Sequence, residues 1–413
     1  VFKNELQKLN IWLTYFLYTM SLLRKIIYKL ARRKFVRGFN SYCSKKIGRA
    51  LMYNKTEEFL LRGFFRDFSH PNNWESFQMA KILNELGYVV DIIDRTATLE
   101  DVKKIKDEYD VFIGLGVGDS GQYFADIAER IPSAKRILYA MGPEPDLSNK
   151  ITKARYDYFR VRHPDIPIQD RRLIKNVNTE RLYASTDAII AIGNEFSVGS
   201  YRHLGKDIHK IYLSTYPGLS MSVEDFSKKN PKKILYFGGN GNGMKGLDLV
   251  LEVFSTHPDL ELYIGAPTNE EDFNVFANPL IRKSPNIHQL GFVDITSKKF
   301  KEITEECGYV ILPSASEGSA TSVTTCMRRG LVPIVTWETG IEDVEKFGYL
   351  ISEGTIAGVG AAVSQATGIS KEELTKKSLA TYVESFKYTQ DSFLKSLKEV
   401  IINLMIDFNK HAK

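Results

Sequence analysis

The chain has 413 residues, which is too long for one ordinary domain and suits two domains of about 150–200 residues each. A hydrophobic content of 43% and a charged content of 26% are typical of a folded globular protein and exclude a mainly disordered chain. The three cysteines are far apart in the sequence, so they indicate neither a disulfide framework nor a zinc site and favour a reducing, cytoplasmic compartment.

The net charge of +6 is distributed unevenly along the chain. No acidic residue lies between Glu5 and Glu57, whereas the same stretch contains twelve lysines and arginines. The sequence therefore predicts a basic arm over residues 1–56 attached to a mildly acidic body. This asymmetry argues against nucleic acid as a partner of the whole protein and predicts one localised anionic partner.

The arm contains an apolar stretch over residues 11–23. As a helix it would span about 20 Å, which is short of the roughly 30 Å hydrocarbon core of a bilayer. Its aromatic residues and the basic residues that follow predict an interfacial helix on an anionic membrane, with contacts through residues 8–55 at the cytosolic face. A helix packed on the protein body and a membrane-spanning segment are the two alternatives.

From residue 57 the chain alternates short apolar runs with helical patterns, which predicts two Rossmann-like α/β domains with mostly parallel sheets. The strands predicted for the first domain, residues 57–215, are 59–65, 89–93, 111–115, 136–139, 188–192 and 210–213. A linker over residues 216–230 precedes the second domain, residues 231–385. Its predicted strands are 234–237, 262–264, 287–290, 310–312 and 333–335. Residues 386–413 predict a last helix that crosses back to the first domain.

Ligands of open parallel sheets bind beyond the carboxyl ends of strands, so the loops there are the candidate sites. One such loop, residues 237–246, is rich in glycine and contains Lys245 before a predicted helix, a pattern that favours phosphate binding. It includes a Gly-x-Gly-x-x-Gly match, as does the stretch 116–121. The strand after the glycine loop ends without the acid that a dinucleotide site needs. A dinucleotide-dependent oxidoreductase is therefore a weaker alternative.

A second loop, residues 312–323, leaves a predicted buried strand and opens a helix. Its Glu317 lies beside several backbone N–H groups, so the loop could hold sugar hydroxyls and phosphate. A plain helix cap with a solvent-facing Glu317 is the alternative.

Polar residues at the same edge of the first predicted sheet are candidates for binding an acceptor. The acceptor-side candidates are Asn72, Asn73, Glu75, Glu144 and Asn194. For the loop at residues 68–76, a helix cap followed by tryptophan packing is an equal alternative. Five arginines between residues 155 and 172 could meet an anionic acceptor or form a solvated face. The seven histidines show no metal-ligand spacing, so no metal site is expected.

Taken in order, these patterns in the C-terminal half resemble the retaining family-4 glycosyltransferases of the GT-B fold. The resemblance rests on five ordered matches, at residues 234–254, 262–267, 286–293, 312–330 and 331–340. The N-terminal half is similar in architecture alone. The resemblance implies a GT-B fold with two Rossmann-like domains and a nucleotide-sugar donor held mainly by the second of them.

The resemblance also implies roles for individual residues. Lys245 would pair with the donor diphosphate and Glu317 with hydroxyls of the transferred sugar, which makes them the catalytic residues. The implied donor-binding residues are Gly238, Gly239, Asn240, Gly241, Ser314, Gly318, Ser319, Ala320, Thr321 and Thr325. No Asp-x-Asp triplet occurs in the sequence, and neither a metal nor another cofactor is expected.

Two positions depart from the family pattern. Asn240 stands where the family usually has arginine, and Thr325 stands where it usually has a second glutamate that holds the ribose. The chain is then either a divergent subgroup with a rebuilt nucleotide pocket or a protein with a lost donor site.

The sequence as a whole predicts a metal-independent, retaining glycosyltransferase. Its acceptor is expected to be a lipid-linked or membrane-proximal glycan, as in surface polysaccharide assembly. A catalytically silent GT-B scaffold is the first alternative and the oxidoreductase the second.

Overall fold

The computed structural model describes residues 34–59, 71–105, 108–116, 122–216 and 220–411, with side chains described up to residue 406. These residues divide into two compact units. The first unit reaches Ile113 and includes Glu129–Ala134, and the second holds Gly114–Ala128 and all residues from Lys135. The strands form one sheet of seven and one of six, and the fold is α/β with two Rossmann-like parallel-sheet domains, as predicted.

The first unit contains the beginning of the seven-stranded sheet. Within this unit the strand order is β1-β3-β2-β4, with β1 antiparallel to β3 and β3 parallel to β2. Its strands are β1 (Phe35–Phe39), β2 (Gly48–Asn54), β3 (Tyr88–Asp94) and β4 (Val111–Leu115). Its helices are α1 (Pro71–Glu85) and α2 (Leu99–Val102), and a 3-10 turn covers Glu57–Phe59. Only the last two residues of α3 (Phe124–Arg130) belong to it. Both β4 and α3 continue into the second unit.

Strands β1 and β2 lie within the range 1–56 that the sequence assigns to a basic arm, so that boundary is wrong. The middle of β2 is apolar and fully buried from Ala50 to Tyr53, which is typical of a central strand. Arg49 at its start donates to buried Asp91 at 2.7 Å, which neutralises part of the basic stretch. Because lysines and arginines flank this short apolar run, the sequence pattern does not indicate a strand here.

Two other predictions at the start of the chain fall mostly on undescribed residues. The predicted strand at residues 59–65 begins at the end of the 3-10 turn, and its remainder lies outside the described residues. The apolar stretch at residues 11–23 also lies outside them. Among the helices that the structure describes, none is both long and apolar enough to cross a membrane.

The second unit contains the parallel strands β5 (Lys135–Ala140), β6 (Ala188–Ile192) and β7 (Asp207–Ile211) and the whole six-stranded sheet. That sheet is parallel, in the order β10-β9-β8-β11-β12-β13. Its strands are β8 (Asn230–Phe237), β9 (Glu261–Gly265), β10 (Ile287–Gln289), β11 (Cys307–Leu312), β12 (Val332–Thr336) and β13 (Tyr349–Ile351).

Helices follow most of these strands, as a Rossmann-like order requires. Those before β8 are α4 (Pro145–Arg162), α5 (Thr179–Ala184), α6 (Glu195–Gly199) and α7 (Val223–Ser227). Those after it are α8 (Leu247–Ser255), α9 (Glu271–Lys283), α10 (Lys298–Glu306), α11 (Thr321–Met327), α12 (Ile356–Thr367), α13 (Lys371–Glu384) and α14 (Gln390–His411). The 3-10 turns of this unit are Arg202–Leu204, Trp337–Thr339, Val344–Lys346 and Ser385–Tyr388.

The predicted linker and the predicted last helix both have defined structure. Helix α7 lies inside the range 216–230, where Ser222 and Asp225 form a capping box and Phe226 is buried. Helix α14 packs against β7, and the backbone N–H of Thr215 donates to the Tyr388 carbonyl at 2.8 Å. The end of the chain therefore returns to the first sheet.

Lys229, at the end of the same range, has a fully enclosed side chain. Its ammonium group donates to the carbonyl oxygens of Thr304 and Arg329, the latter at 2.8 Å. Burial lowers the pKa of Lys229 from 10.5 to about 8. The amine therefore loses its proton at a lower pH in the folded protein than in the unfolded chain.

We expect this lysine to make stability rise with pH. Between about pH 8 and pH 10 the unfolded chain holds a proton that the folded protein has released, so the free energy of unfolding should increase by up to about 2 kcal/mol. Urea unfolding across this pH range should detect the increase in the wild type and a smaller increase in Lys229→Met. Parallel profiles for the two proteins would contradict the assignment.

Candidate functional site

The glycine loop over residues 237–246 connects β8 to the start of α8. Gly246 caps this helix with φ of +70°, in the left-handed region that favours glycine. A Cβ atom at Gly246 would lie 2.5 Å from the Pro313 carbonyl oxygen. The glycine thus brings the start of α8 against the loop that follows β11.

Lys245 and Glu317, the two predicted catalytic residues, form a salt bridge at this junction. Their side chains are only 9% and 14% exposed, and the Ser314 hydroxyl lies 3.4 Å from the same Glu317 oxygen. Burial raises the pKa of Glu317, but the positive charges of Lys245 and Arg172, together with hydrogen bonds from Lys245 and Ser314, lower it by more, so the net shift is downward. The carboxylate is therefore ionised at neutral pH.

Unpaired backbone N–H groups follow Glu317. The N–H groups of Glu317 and Ala320 donate to the carbonyl oxygens of Glu338 and Thr339, at 2.9 and 3.1 Å. Those of Gly318, Ser319 and Thr321 have no hydrogen-bond acceptor within the part of the chain that the structure describes. Three unpaired donors thus follow the salt-bridged Glu317 in the chain, whereas Ala320, a predicted donor-binding residue, is already paired.

Gly318 is surrounded by the backbone of other loops. A Cβ atom at Gly318 would lie 2.1 Å from the Met141 carbonyl oxygen. Cβ atoms at Gly193 and Gly340 would lie 2.1 and 2.0 Å from the Gly318 carbonyl oxygen. Side chains at these three positions would force the loops after β5, β6 and β12 away from the Glu317 loop.

Sequence reasoning missed Glu270, which is 4% exposed and holds the glycine loop from within the protein. Its carboxylate accepts hydrogen bonds from the N–H groups of Gly241, at 2.6 Å, and Asn242, at 3.2 Å. The expected phosphate contact at Gly241 is therefore occupied by a protein carboxylate. Glu270 lies in a loop with no recognisable motif, so no sequence signal pointed to it.

The other predicted residues of the glycine loop differ in accessibility. The N–H of Gly238 donates to the Gly265 carbonyl at 3.2 Å, which continues the sheet into the loop. Gly239 and Asn240 are exposed, and a Cβ atom at Gly239 would meet open space. These two residues therefore form the accessible tip of the loop.

The structure gives Thr325 a role within the protein. It is buried, its hydroxyl donates to the Thr321 carbonyl at 2.7 Å, and it lies 3.0 Å from the Thr215 hydroxyl. A hydroxyl held in this way is not presented to a nucleotide ribose.

Two of the acceptor-side candidates also have structural partners. Glu144 caps α4 through the Leu147 N–H at 2.9 Å and accepts from the Tyr183 hydroxyl at 2.8 Å. Asn194 caps α6 and donates to the Trp337 carbonyl at 2.9 Å. Both side chains are buried and hydrogen-bonded within the protein, and their acceptor-side role stays a prediction.

The remaining acceptor-side candidates lie within the first five residues of α1, in the first unit. Asn73 and Glu75 are buried there, whereas Asn72 is half-buried. The loop just before them lies outside the described residues. In the described ranges no three His, Cys, Asp or Glu side chains are grouped closely enough to hold a metal ion.

Comparison with known sequences identifies the part of the chain that holds these loops. Residues 222–386 match the family model described as glycosyl transferases group 1. The matched segment contains the six-stranded sheet and both Lys245 and Glu317. No curated protein matches the sequence.

Comparison with solved structures identifies the fold. Anabaena HepE, in complex with UDP and glucose, aligns with 13% identity and a TM-score of 0.53 over 87% of this chain and 99% of its own. WaaG, a glycosyltransferase involved in lipopolysaccharide biosynthesis, aligns with 12% identity and a TM-score of 0.53 over 85% and 99%. TarM of S. aureus aligns with 13% identity and a TM-score of 0.49 over 71% of this chain. This chain covers 55% of TarM, about half of its length. The GT-B fold predicted from the sequence is confirmed.

The salt bridge should be visible in the pH dependence of stability. Glu317→Gln leaves the Lys245 charge enclosed and unpaired, so we expect it to lower the free energy of unfolding by about 3 kcal/mol at pH 7. Because the folded-state pKa of Glu317 is lowered, this loss should be complete above about pH 4.5 and should shrink as pH falls further. Urea unfolding at pH 7 and below pH 4 measures both values.

The matched control is Lys298→Met, which removes an ion pair with Glu302 on the surface of α10. The Lys298 side chain is 88% exposed, so its loss should change stability by less than about 1 kcal/mol. Equal losses in the two variants, or a loss in Glu317→Gln that does not depend on pH, would contradict the assigned ion pair.

Proposed function

We propose that the protein is a glycosyltransferase that takes its sugar from a nucleotide-sugar donor. One observation carries this proposal. An enclosed Lys245–Glu317 pair lies beside the unpaired N–H groups of Gly318, Ser319 and Thr321, within the segment that matches the glycosyl transferases group 1 family. These groups combine a cation, a carboxylate and N–H donors, which are the groups needed to bind phosphate and sugar hydroxyls together.

In this proposal Lys245 and Glu317 have different partners in the free protein and in the complex with the donor. Without donor, Lys245 and Glu317 neutralise each other, because either charge alone in this enclosed position would be destabilising. With donor, the diphosphate takes Lys245 and the sugar hydroxyls take Glu317. The two side chains are therefore held near their working positions before the donor arrives.

The chemical step needs stabilisation of the departing nucleoside diphosphate. When the bond between the sugar and the phosphate breaks, negative charge accumulates on the phosphate oxygens. Lys245 and the N–H groups after Glu317 would hold that charge in a partly enclosed site, where such contacts are strongest. We propose on this basis a metal-independent transfer. The resemblance to the retaining family-4 glycosyltransferases is the ground for proposing that the anomeric configuration is retained.

The proposal also names the nucleotide, the acceptor and the membrane surface as partners. HepE was solved with UDP and glucose, which makes UDP the first nucleotide to test for this chain. The basic residues 8–55 and the role of WaaG in lipopolysaccharide biosynthesis support a lipid-linked or membrane-proximal glycan acceptor. We propose that the protein binds the cytosolic face of the membrane peripherally, and that Asn72, Asn73 and Glu75 belong to its acceptor side.

A specific observation also favours the silent-scaffold alternative. Glu270 occupies the N–H groups of Gly241 and Asn242, and the Thr325 hydroxyl is held by Thr321 and Thr215. Two of the expected donor contacts are thus made within the protein. A scaffold of this kind would bind no nucleotide, whereas an oxidoreductase would bind NAD.

We expect Lys245→Ala to lower turnover about 10²–10³-fold, since it removes a charge that stabilises the departing diphosphate. Release of nucleoside diphosphate from the donor measures turnover, and Lys298→Ala is the matched surface control. Thermal unfolding with UDP, GDP, dTDP, CMP and NAD in parallel identifies the ligand, because a ligand at 100 times its Kd adds about 2.7 kcal/mol. Normal turnover in Lys245→Ala would remove this lysine from the mechanism, and the absence of any nucleotide shift would favour the scaffold.

Membrane binding is tested by changing charge in the full-length protein. The test variant replaces Arg24, Lys25, Lys29, Arg32 and Arg33 with glutamine. Each basic residue near an anionic surface contributes about 1 kcal/mol, so sedimentation with phosphatidylserine vesicles should fall strongly. The control replaces Lys298, Lys299 and Lys301 on α10 with glutamine and should sediment like the wild type. Equal sedimentation of all three proteins would contradict attachment through the basic segment.

A further inference from the structure

Arg172 lies in the loop between α4 and α5 and has an unusual backbone conformation. Its φ of +68° is in the left-handed region, which an arginine adopts at an energetic cost. Such a conformation persists when the surrounding contacts fix it.

Neighbouring contacts on both sides fix this loop. Arg171 binds both carboxylate oxygens of Asp272, at 2.7 and 2.6 Å. Two residues further on, the backbone of Ile174 exchanges two hydrogen bonds with the Asn149 side chain, at 2.7 and 2.9 Å. Arg172 is therefore presented from a segment that is held at both ends.

The side chain of Arg172 packs on the glycine loop. A Cβ atom at Gly241 would lie 2.7 Å from Cγ of Arg172 and 4.0 Å from its Nε. Gly241 also has a φ of +94°, so the absence of a side chain serves both the turn and the approach of the arginine. The positive charge of Arg172 reaches Glu317, where it is one of the causes of the lowered pKa.

Nearby basic residues are paired with carboxylates, whereas Arg172 is not within the described part of the chain. Arg160, Arg162 and Arg171 each form salt bridges with aspartates, and Lys245 is paired with Glu317. Arg172 forms no salt bridge with any carboxylate of the described chain, and it is exposed. It is thus an uncompensated cation against the glycine loop.

We propose that Arg172 binds the diphosphate of the donor, a role that rests on the proposed glycosyl transfer. The backbone of the loop contributes little there, because Glu270 already occupies the N–H groups of Gly241 and Asn242. Asn240 at the tip of the loop is uncharged. A guanidinium group binds phosphate through two parallel hydrogen bonds, so Arg172 supplies from a different loop the cation that the glycine loop lacks.

Arg172→Gly provides a variant in which weaker binding is separable from poorer folding. Glycine adopts a positive φ without strain, so the thermal midpoint of the free protein should stay equal or rise. The guanidinium group is lost, so the Kd of the nucleoside diphosphate that binds the wild type among UDP, GDP and dTDP should rise about ten- to hundredfold. Titration calorimetry measures this Kd, and the matching uncharged nucleoside should show no change between the two proteins.

Two further variants sharpen the test. Lys175→Ala removes a positive charge from an exposed position three residues away, so it should bind nucleoside diphosphate like the wild type. Adding Asn240→Arg to Arg172→Gly places a cation on the glycine loop itself and should recover most of the lost affinity.

The outcomes separate this proposal from the function on which it rests. If no nucleoside diphosphate binds the wild type, glycosyl transfer and the role of Arg172 both fail. If the wild type binds and Arg172→Gly binds equally well, the role of Arg172 alone fails. An equal loss of affinity in Lys175→Ala would also overturn it, because the loss would then reflect the general charge of the loop.

Discussion

The geometry of the candidate site depends on one enclosed salt bridge, between Lys245 and Glu317. The two residues follow β8 and β11, which are hydrogen-bonded parallel neighbours in the six-stranded sheet. Parallel strands end at the same edge, so residues 72 positions apart in the sequence become adjacent. Because each charge would be costly in this position without the other, the pair fixes the distance between the two loops. The N–H groups after Glu317 are then placed next to the lysine.

Glycines serve two different purposes around this pair. At Gly193, Gly318 and Gly340 the absence of a side chain lets the backbones of four loops come into contact. At Gly241 it makes room for Arg172. A sequence motif does not distinguish a glycine that admits another protein segment from one that admits a phosphate. This ambiguity explains why Gly241 was predicted to contact the donor although its N–H is bonded to Glu270.

The parts of the fold that could be predicted are those encoded by local pattern. All five strands predicted for the second sheet coincide with β8 to β12, because strands buried on both faces are continuous apolar runs. Strand β2 was missed because its apolar centre is only a few residues long and basic residues flank it. The loops that carry Lys245 and Glu317 were predicted from their positions after such strands. By contrast, Glu270, Thr325, Glu144 and Asn194 each have a partner that lies far away in the sequence. No spacing rule connects these long-range pairs.

Asn240 stands where the resembled family usually has arginine, and the charges around the glycine loop decide what this difference implies for donor binding. A family cation missing from one position indicates a lost donor site only if no other cation reaches the same place. Here Lys245 is neutralised by Glu317, Glu270 occupies the loop amides, and Arg172 approaches the loop from outside the matched segment. A donor diphosphate that takes Lys245 from Glu317 leaves that carboxylate without its partner, so sugar hydroxyls must bind it in the same event. Under the proposed function, a nucleotide-sugar therefore provides a partner for both side chains, whereas a nucleoside diphosphate provides one for Lys245 alone.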